Sequence, residues 1–418
     1  MNTPQVSNKS TEAIRSAIAE IPLQDIDVSQ PELFQTDTVG YYFDRLRDEA
    51  PVHFCPDSRF GSYWSITRFE DIMAVDKDHQ NYSSERGGIQ IVDFPEGMER
   101  VNFINMDPPQ HDDKRKVVSP IVAPANLTNL QHTIRERVLD ILDNLPRNEE
   151  FDWVEEVSIE LTTRMLATLF DFPYEERRKL TWWSDVASMD LTSGGPIDTE
   201  EKRLAELQDC LETFSGLMRE RANLPPRSDL ISMMAHSDMV DMSPKEFLGT
   251  LILLIIGGND TTRNSISGGL LALNQCPDEM RKLKAKPSLV SSLVPEIIRW
   301  QTPLTSMRRT TNRDMRIHDQ VIPEGAKVMM WYLSGNRDER AIDKPNEFII
   351  DRAQPRRHLS FGFGVHRCVG NRLAEMQLRI LWEEILNQEL EIEIVGTPIR
   401  NYSNAVRGFT SMPVTIRA

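Results

Sequence analysis

The stretch Phe361-Gly362-Phe363-Gly364-Val365-His366-Arg367-Cys368-Val369-Gly370 contains one cysteine at the end of a glycine-broken loop. Apolar residues then recur at helical spacing over 373–385, which predicts a helix directly after the loop. We expect the helix N-terminus and the flanking His366 and Arg367 to lower the pKa of the Cys368 thiol, because both stabilise a thiolate. Phe361 can cover the sulfur. The loop is therefore suited to present a single anionic sulfur ligand.

The other cysteines, Cys55, Cys210 and Cys276, are interpreted as structural residues. None of them has a second cysteine or a histidine at a metal-ligand spacing, so zinc and iron–sulfur sites find no support.

A second pattern begins at Ser243-Pro244-Lys245-Glu246, which predicts a helix N-terminus with a capping box. The following residues are apolar on nearly all sides, which is typical of a buried helix. Gly257 and Gly258 interrupt it, although a glycine inside a helix costs about 1 kcal/mol. Asp260 and Thr261 follow, and Thr261 can hydrogen-bond back to the carbonyl of Gly257. This pattern favours a small cavity for a ligand and water, and a glycine-mediated helix crossing is the alternative.

Several further charged residues are candidates when their order along the chain is considered. Glu296 and Arg299 lie three apart on one predicted helical face, and such pairs are common on surfaces. Arg352 follows Phe348-Ile349-Ile350-Asp351. His111 and Arg115 lie one helical turn apart after Pro108-Pro109, and Arg309 precedes a predicted strand. Each cation is also compatible with a solvated surface position.

Together and in this order, these motifs resemble the cytochrome P450 (haem-thiolate) family. The resemblance implies that Cys368 is the axial ligand of the iron in haem b (iron protoporphyrin IX). It implies that the haem is also contacted by His111, Arg115, Arg309, Phe361 and His366. Asp260 and Thr261 are then the catalytic pair that delivers protons to bound dioxygen. Glu296, Arg299 and Arg352 are expected to form a structural network that holds the cysteine loop.

The predicted fold is mostly α with small antiparallel β-sheets. The resemblance runs from about residue 41 to the C-terminus and no linker is visible, so we predict a partly ordered leader over 1–40 and a single P450 domain over 41–418. The P450 fold implies a haem held between a long distal helix and the helix after the cysteine loop. A hairpin is predicted over Val52–Thr67, and short strands near 315–317, 327–331, 391–394 and 414–416.

The chain has 418 residues, a formal net charge of −16, 39% hydrophobic and 27% charged residues. Its acidity disfavours nucleic acid and anionic membranes as partners. The most apolar segment, 248–256, is shorter than the roughly 20 residues that a membrane span needs. With four cysteines and no pairing pattern, we expect a cytoplasmic protein without a membrane anchor, and we expect a monomer.

Three stretches, 255–265, 295–303 and 331–339, are most similar to soluble bacterial P450s that hydroxylate alkanes and fatty acids at the terminal (omega) carbon. This similarity implies a monooxygenase for a medium-chain aliphatic substrate. The segments that face substrate in the family supply the candidate channel residues, namely Ile91, Val92, Leu253, Leu254, Gly258, Leu304, Met307, Val406 and Phe409.

The chain lacks a flavin or nicotinamide fingerprint, so the resemblance implies electrons from a ferredoxin and an NAD(P)H-dependent ferredoxin reductase. Hydroxylation of a terpenoid or a steroid side chain remains an alternative. A non-catalytic haem-thiolate gas sensor and a peroxide-driven hydroxylase are also open, although neither requires the Asp260–Thr261 pair.

Overall fold

The computed structural model describes residues 8–94, 100–191 and 194–417. The α-helices, labelled α1 to α15 in chain order, are Asn8–Ala19, Pro31–Gln35, Val39–Glu49, Phe69–Lys77, Gln110–Val118, Pro124–Asn144, Glu160–Phe170, Arg178–Ser188, Glu200–Ala222, Leu230–Ala235, Pro244–Gln275, Pro277–Ala285, Val290–Gln301, Tyr332–Gly335 and Asn371–Asn387. Short 3-10 turns include Phe103–Asn105 and Gly364–His366. The chain is thus mostly α, as predicted.

The strands, labelled β1 to β12, are Val52–Cys55, Tyr63–Ile66, Tyr82–Ser83, Glu150–Asp152, Met307–Thr311, Met315–Ile317, Gln320–Ile322, Lys327–Met330, Glu391–Ile394, Ile399–Arg400, Phe409–Ser411 and Pro413–Arg417. They form one five-stranded sheet, β1-β2-β8-β5-β3, and smaller sheets β4-β12-β9, β10-β11 and β6-β7. The predicted hairpin is β1 and β2, with Val52 opposite Ile66.

One strand pair departs from the antiparallel prediction. β2 and β8 are parallel, with Trp64 opposite Val328, while the other pairs in these sheets are antiparallel. A parallel pair needs a long connection, and here more than 250 residues separate the two strands. Local sequence patterns do not reveal such a pairing.

The central element is α11, a helix of 32 residues that contacts α7, α8, α13 and α15. Ser243 caps its N-terminus by accepting a hydrogen bond from the backbone N–H of Glu246 (3.2 Å). Phe247, Leu251, Ile255 and Leu270 of this helix are buried in the largest apolar core. This placement agrees with the prediction of a capped and buried helix.

The segment before residue 41 contributes to a second apolar core. Ile26, Val28 and Phe34 are buried there, and the ring of Phe34 lies 6.1 Å from that of Trp331. Residues 1–7 of the predicted leader lie outside the described residues. The boundary at residue 41 stays a prediction.

Across the described parts of the chain, no helix combines the length and the hydropathy that a membrane crossing requires.

Candidate active site

The cysteine loop is closed on itself by a backbone hydrogen bond and is held against α4 by the side chain of Asp76. The backbone N–H of Cys368 donates to the carbonyl of Phe361 (2.8 Å), and that of Phe363 donates to Oδ2 of Asp76 (2.8 Å). Gly364 has φ +67°, and a Cβ there would lie 2.7 Å from the carbonyl oxygen of Asp76. Glycine is therefore required for this close approach.

Asp76 is a buried carboxylate that no sequence pattern indicated. Besides Phe363, its Oδ2 accepts from the hydroxyl of Tyr332 (2.9 Å), and its Oδ1 accepts from Arg309 (2.8 Å). An isolated acid in a short amphipathic helix has no pattern that would single it out. Only the fold brings it to the loop and to Arg309.

The Cys368 side chain faces a large cavity, which gives it accessible surface although protein surrounds it on the other sides. Burial raises the pKa of the free thiol above its ordinary value. The backbone N–H groups of Gly370 and Asn371 and the charges of Arg115 and Arg367 act in the opposite direction. The expected lowering is therefore wrong for the free thiol, because desolvation outweighs the predicted stabilising groups. Those groups favour the thiolate, which is the form of cysteine that binds a metal ion.

Two buried imidazoles stand side by side near the loop. The rings of His111 and His366 are 4.4 Å apart. Nδ1 of His111 bonds Asp112 (2.7 Å), and Nε2 of His366 bonds Ser84 (3.1 Å). The other ring nitrogens, Nε2 of His111 and Nδ1 of His366, have no hydrogen-bond partner in the described structure. Burial lowers the pKa of both histidines, so both are neutral at neutral pH.

The two predicted arginines differ in placement. Arg115 lines the cavity with Cys368 and donates to the carbonyl of Arg367. Arg309 lies behind the cavity wall, fully buried, with its guanidinium directed to Asp76 and to the carbonyl of Arg308 (2.8 Å each). Its charge nevertheless acts on His366 and contributes to the lowered pKa of that imidazole.

The catalytic candidates lie on α11. The hydroxyl of Thr261 donates to the carbonyl of Gly257 (3.0 Å), the bond that the sequence suggested. Oδ1 of Asp260 accepts from Ser184 of α8 (2.9 Å) and from Asn259 (3.3 Å), and it pairs with Arg263 (3.2 Å). Both residues line the cavity.

Arg263 also binds Asp185 of α8 (2.7 Å), so it stands between two carboxylates. Burial and the charge of Asp260 raise the pKa of Asp185. The sequence did not reveal this link between α8 and Asp260, because it depends on a tertiary contact.

The consecutive glycines have different neighbours. A Cβ on Gly257 would meet nothing within 4 Å, whereas one on Gly258 would lie 2.7 Å from Cδ2 of Leu166 on α7. Both glycines line the cavity, and the open space that an added side chain could enter lies at Gly257. Gly258 instead permits α7 to pack closely, which is the helix-crossing alternative for that residue.

The cavity has a volume of about 2070 Å³ and mostly apolar walls. All nine predicted channel residues line it: Ile91, Val92, Leu253, Leu254, Gly258, Leu304, Met307, Val406 and Phe409. Further walls, which no sequence pattern indicated, come from the 100–106 segment and from α7, α8 and α9. They include Asn102, Met106, Leu169, Trp182 and Leu207. Apart from the polar Asn102, these residues have the spacing of ordinary core residues, so only the fold distinguishes them.

Glu296, Arg299 and Arg352 form one buried cluster. Glu296 accepts from Nε and Nη2 of Arg299 (2.7 and 2.8 Å), from Nε of Arg352 (2.9 Å) and from the backbone N–H of Ile349 (2.8 Å). The structure thus brings the three residues together. Their predicted role in holding the cysteine loop stays a proposal.

The described residues contain no cluster of three or more histidine, cysteine or acidic side chains that could hold a metal ion. The residues around Cys368 do fit a haem. A sulfur faces an apolar cavity, and Arg115 and the partnerless Nδ1 of His366 stand nearby to donate to anionic propionates. Nε2 of His111 donates to a propionate only when that ring is protonated, because its Nδ1 hydrogen is directed to Asp112.

Comparison with known proteins decides the family. The family model "Cytochrome P450" matches residues 195–416. Linalool 8-monooxygenase of Pseudomonas putida is 33% identical over 93% of this chain and 98% of its own length. The chain is a cytochrome P450. The solved structure of CYP153D17 from Sphingomonas sp. PAMC 26605 is 45% identical to this P450, with a TM-score of 0.89, over 94% of this chain and 99% of the other. The methyl-branched lipid omega-hydroxylase of Mycobacterium tuberculosis is 28% identical over 95% of this chain and 96% of its own length.

This P450 is a haem-thiolate monooxygenase that binds haem b and takes electrons from redox partners. The alternative of a non-catalytic gas sensor is therefore set aside.

Proposed function

We propose that this P450 hydroxylates the terminal carbon of medium-chain alkanes or fatty acids. The observation that carries the proposal is the cavity, which is apolar over most of its wall and reaches Cys368. The similarity to a protein named as a lipid omega-hydroxylase supports oxidation at a chain end. A flexible aliphatic chain gains affinity in such a cavity mainly by leaving water.

Selectivity for a chain end depends on which carbon of the substrate the cavity places at the reactive centre. The terminal C–H bond is stronger than its neighbours, so the cavity must present the terminal carbon and keep the next ones away. A difference of about 1.4 kcal/mol between the two orientations changes the product ratio tenfold. Leu253, Leu254 and Thr261 line the cavity on α11, beside the open space at Gly257. These residues are our candidates for guiding the chain end.

Bound haem supplies the activation of dioxygen and the insertion of one oxygen atom into a C–H bond. We propose that Cys368 ligates its iron and that Phe361 covers the sulfur. The propionates would be held by His111, His366 and Arg115, with Arg309 adding positive charge from behind.

Thr261 and Asp260 are our candidates for accepting and transferring protons during the reaction. The Thr261 hydroxyl gives its own proton to the carbonyl of Gly257, which leaves its oxygen lone pairs free to accept another. The described residues that bond the carboxylate of Asp260 all do so at Oδ1, while Asn264 donates to its backbone carbonyl. We therefore infer that Oδ2 is the oxygen that takes up and passes on a proton.

We propose that the electrons come from a ferredoxin and an NAD(P)H-dependent ferredoxin reductase. This external electron source is supported by the lack of any flavin or nicotinamide fingerprint in the sequence. We propose further that the P450 acts as a monomer in a reducing compartment such as the cytoplasm.

A second candidate substrate is a terpenoid or a steroid side chain. Two observations favour it, namely 33% identity to linalool 8-monooxygenase and a cavity of about 2070 Å³. A cavity of this size, even after a haem is placed in it, leaves room for more than a single extended chain.

Turnover of dodecane, dodecanoic acid and linalool by the purified holoenzyme discriminates between the candidates. A surrogate ferredoxin, its reductase and NADH should give mainly the terminal alcohol from the dodecyl substrates, as measured by gas chromatography and mass spectrometry. Product from linalool alone would establish the second candidate in place of the first. Product with hydrogen peroxide but none with the ferredoxin system would contradict the proposed electron source.

A further inference from the structure

Two arginines line the cavity where the end of α8 meets the start of α9. Arg100 donates from Nη2 to the carbonyl of Ala187 (2.6 Å), near the C-terminus of α8. Arg203 lies in the first turn of α9, where it pairs with Glu200 (2.9 Å) and donates to the carbonyl of Met189. Both side chains belong to the cavity wall.

Positive charge exceeds negative charge at this position. Burial and the charge of Arg203 lower the pKa of Arg100 to about 10, and Glu200 is the acid that opposes them. The side chain of Glu200 is 49% exposed, so water weakens its compensation. Nε of Arg203 is buried and has no hydrogen-bond partner in the described structure. A buried donor without a partner, beside a second cation, is suited to receive an anion.

The arginines stand away from the thiol end of the cavity. The carbonyl of Val101, which follows Arg100, packs so closely on α11 that a Cβ on Gly249 would lie 2.1 Å from its oxygen. Gly249 precedes Gly257 by eight residues, which is roughly 12 Å along a helix. The cavity wall between them is formed by Ile252, Leu253 and Ile256, which are apolar. An extended chain could therefore have its head at Arg100 and its end beside Thr261.

We propose that Arg100, assisted by Arg203, binds the carboxylate of an aliphatic acid whose far end reaches Thr261. The guanidinium presents parallel N–H donors that match the two oxygens of a carboxylate. The inference rests on the proposed hydroxylation of aliphatic chains and narrows the substrate class to acids. Arg100 is then a specificity-determining residue.

The test compares dodecanoate with its methyl ester as ligands of the holoenzyme. The two share an alkyl chain and differ in the charge of the head. Spectral titration should give tighter binding of dodecanoate, and Arg100→Gln should weaken dodecanoate about tenfold or more, because hydrogen bonds to a charged group are the strong ones. Binding of the methyl ester should change less than about threefold. Arg316→Gln, which removes an exposed arginine on β6 remote from the cavity, is the charge-matched control.

Charge reversal separates recognition from a structural role. Arg100→Glu should bind dodecyltrimethylammonium, a cation that cannot ligate the iron, better than dodecanoate, which loss of packing alone would not produce. Equal weakening of acid and ester by Arg100→Gln, or equal binding of both by the wild type, would overturn the inference while leaving aliphatic hydroxylation intact. Failure of the wild type to bind any of the dodecyl compounds would instead contradict the proposed function itself.

Discussion

Among single residues, the two consecutive glycines of α11 differ in whether an added side chain would fit. Gly257 borders open cavity, and Gly258 touches Leu166. Alanine stabilises a helix interior by about 1 kcal/mol relative to glycine. At 257 this gain is unopposed, whereas at 258 the new methyl group must displace Leu166. Overpacking of a core typically costs 1–3 kcal/mol.

We therefore expect Gly257→Ala to keep or raise the thermal midpoint of the holoenzyme and to change the ratio of terminal to subterminal products. Gly258→Ala, the matched control, should lower the midpoint or leave it unchanged, with a smaller effect on product ratio. Thermal unfolding and product analysis measure the two effects. A Gly257→Ala enzyme with wild-type products would show that this glycine does not border the substrate.

The residues that sequence could identify are those with a local pattern. Three motifs are examples: the glycines around Cys368, the Asp260–Thr261 pair, and Glu296 with Arg299. Within each motif the residues lie only a few positions apart. Asp76 has no such neighbours, and its partners Arg309 and Tyr332 are more than 230 residues away. The acid that orders the loop could therefore not be inferred before the fold was known.

At the scale of elements, the segment before Cys368 contains a buried neutral histidine. His358 is 6% exposed, its ring lies 5.4 Å from that of Phe361, and its Nδ1 accepts from the backbone N–H of Ser360 (3.3 Å). Burial and the charges of Arg299, Arg367 and Arg356 lower its pKa to about 3. Protonation would bury an unpaired cation among these arginines, so the segment requires the neutral imidazole.

This histidine makes stability depend on pH. In the unfolded chain its pKa is about 6.5, so below that pH the unfolded state binds a proton that the folded state does not. Acidification from about 6.5 toward 3 therefore favours unfolding, by up to about 1.4 kcal/mol per pH unit from this residue. In His358→Gln the free energy of unfolding should fall less steeply with acidification, as measured by urea unfolding at several pH values.

The control for that experiment is His132→Gln, which removes an imidazole whose side chain is 80% exposed. If the two variants show the same slope of stability against pH, His358 is not the source of the dependence.

For α11 the sequence predicted the cap, the buried face and the bond from Thr261 to Gly257, because each depends on residues within one or two turns. It did not predict which residues surround Asp260. Ser184 and Asp185 come from α8, and their approach depends on how two helices cross. Sequence spacing describes one helix at a time, so a shared arginine such as Arg263 is visible only in the folded chain.

At the scale of the whole molecule, the buried cluster at Glu296 joins segments that are distant in sequence. Arg299 donates to the carbonyls of Asn336, Pro345 and Glu347 at 2.8–3.1 Å. Asn336 continues the network by donating to Ser360 (2.9 Å), and its side-chain oxygen accepts from the backbone N–H of Leu359 (2.7 Å). The cluster thereby connects α13 to the chain that leads into the cysteine loop.

Removing the charge of Glu296 tests this connection. Glu296→Gln would leave Arg299 buried without its carboxylate, and the loss of one partner of a buried pair costs about 3–5 kcal/mol. We expect a lower urea midpoint and a lower ratio of haem to protein in the purified holoenzyme. Arg379→Gln on α15, which breaks a half-exposed pair with Glu383, is the control and should cost less than about 1 kcal/mol. Wild-type haem content and midpoint in Glu296→Gln would show that the cysteine loop is held without this cluster, by Asp76 and the close packing at Gly364.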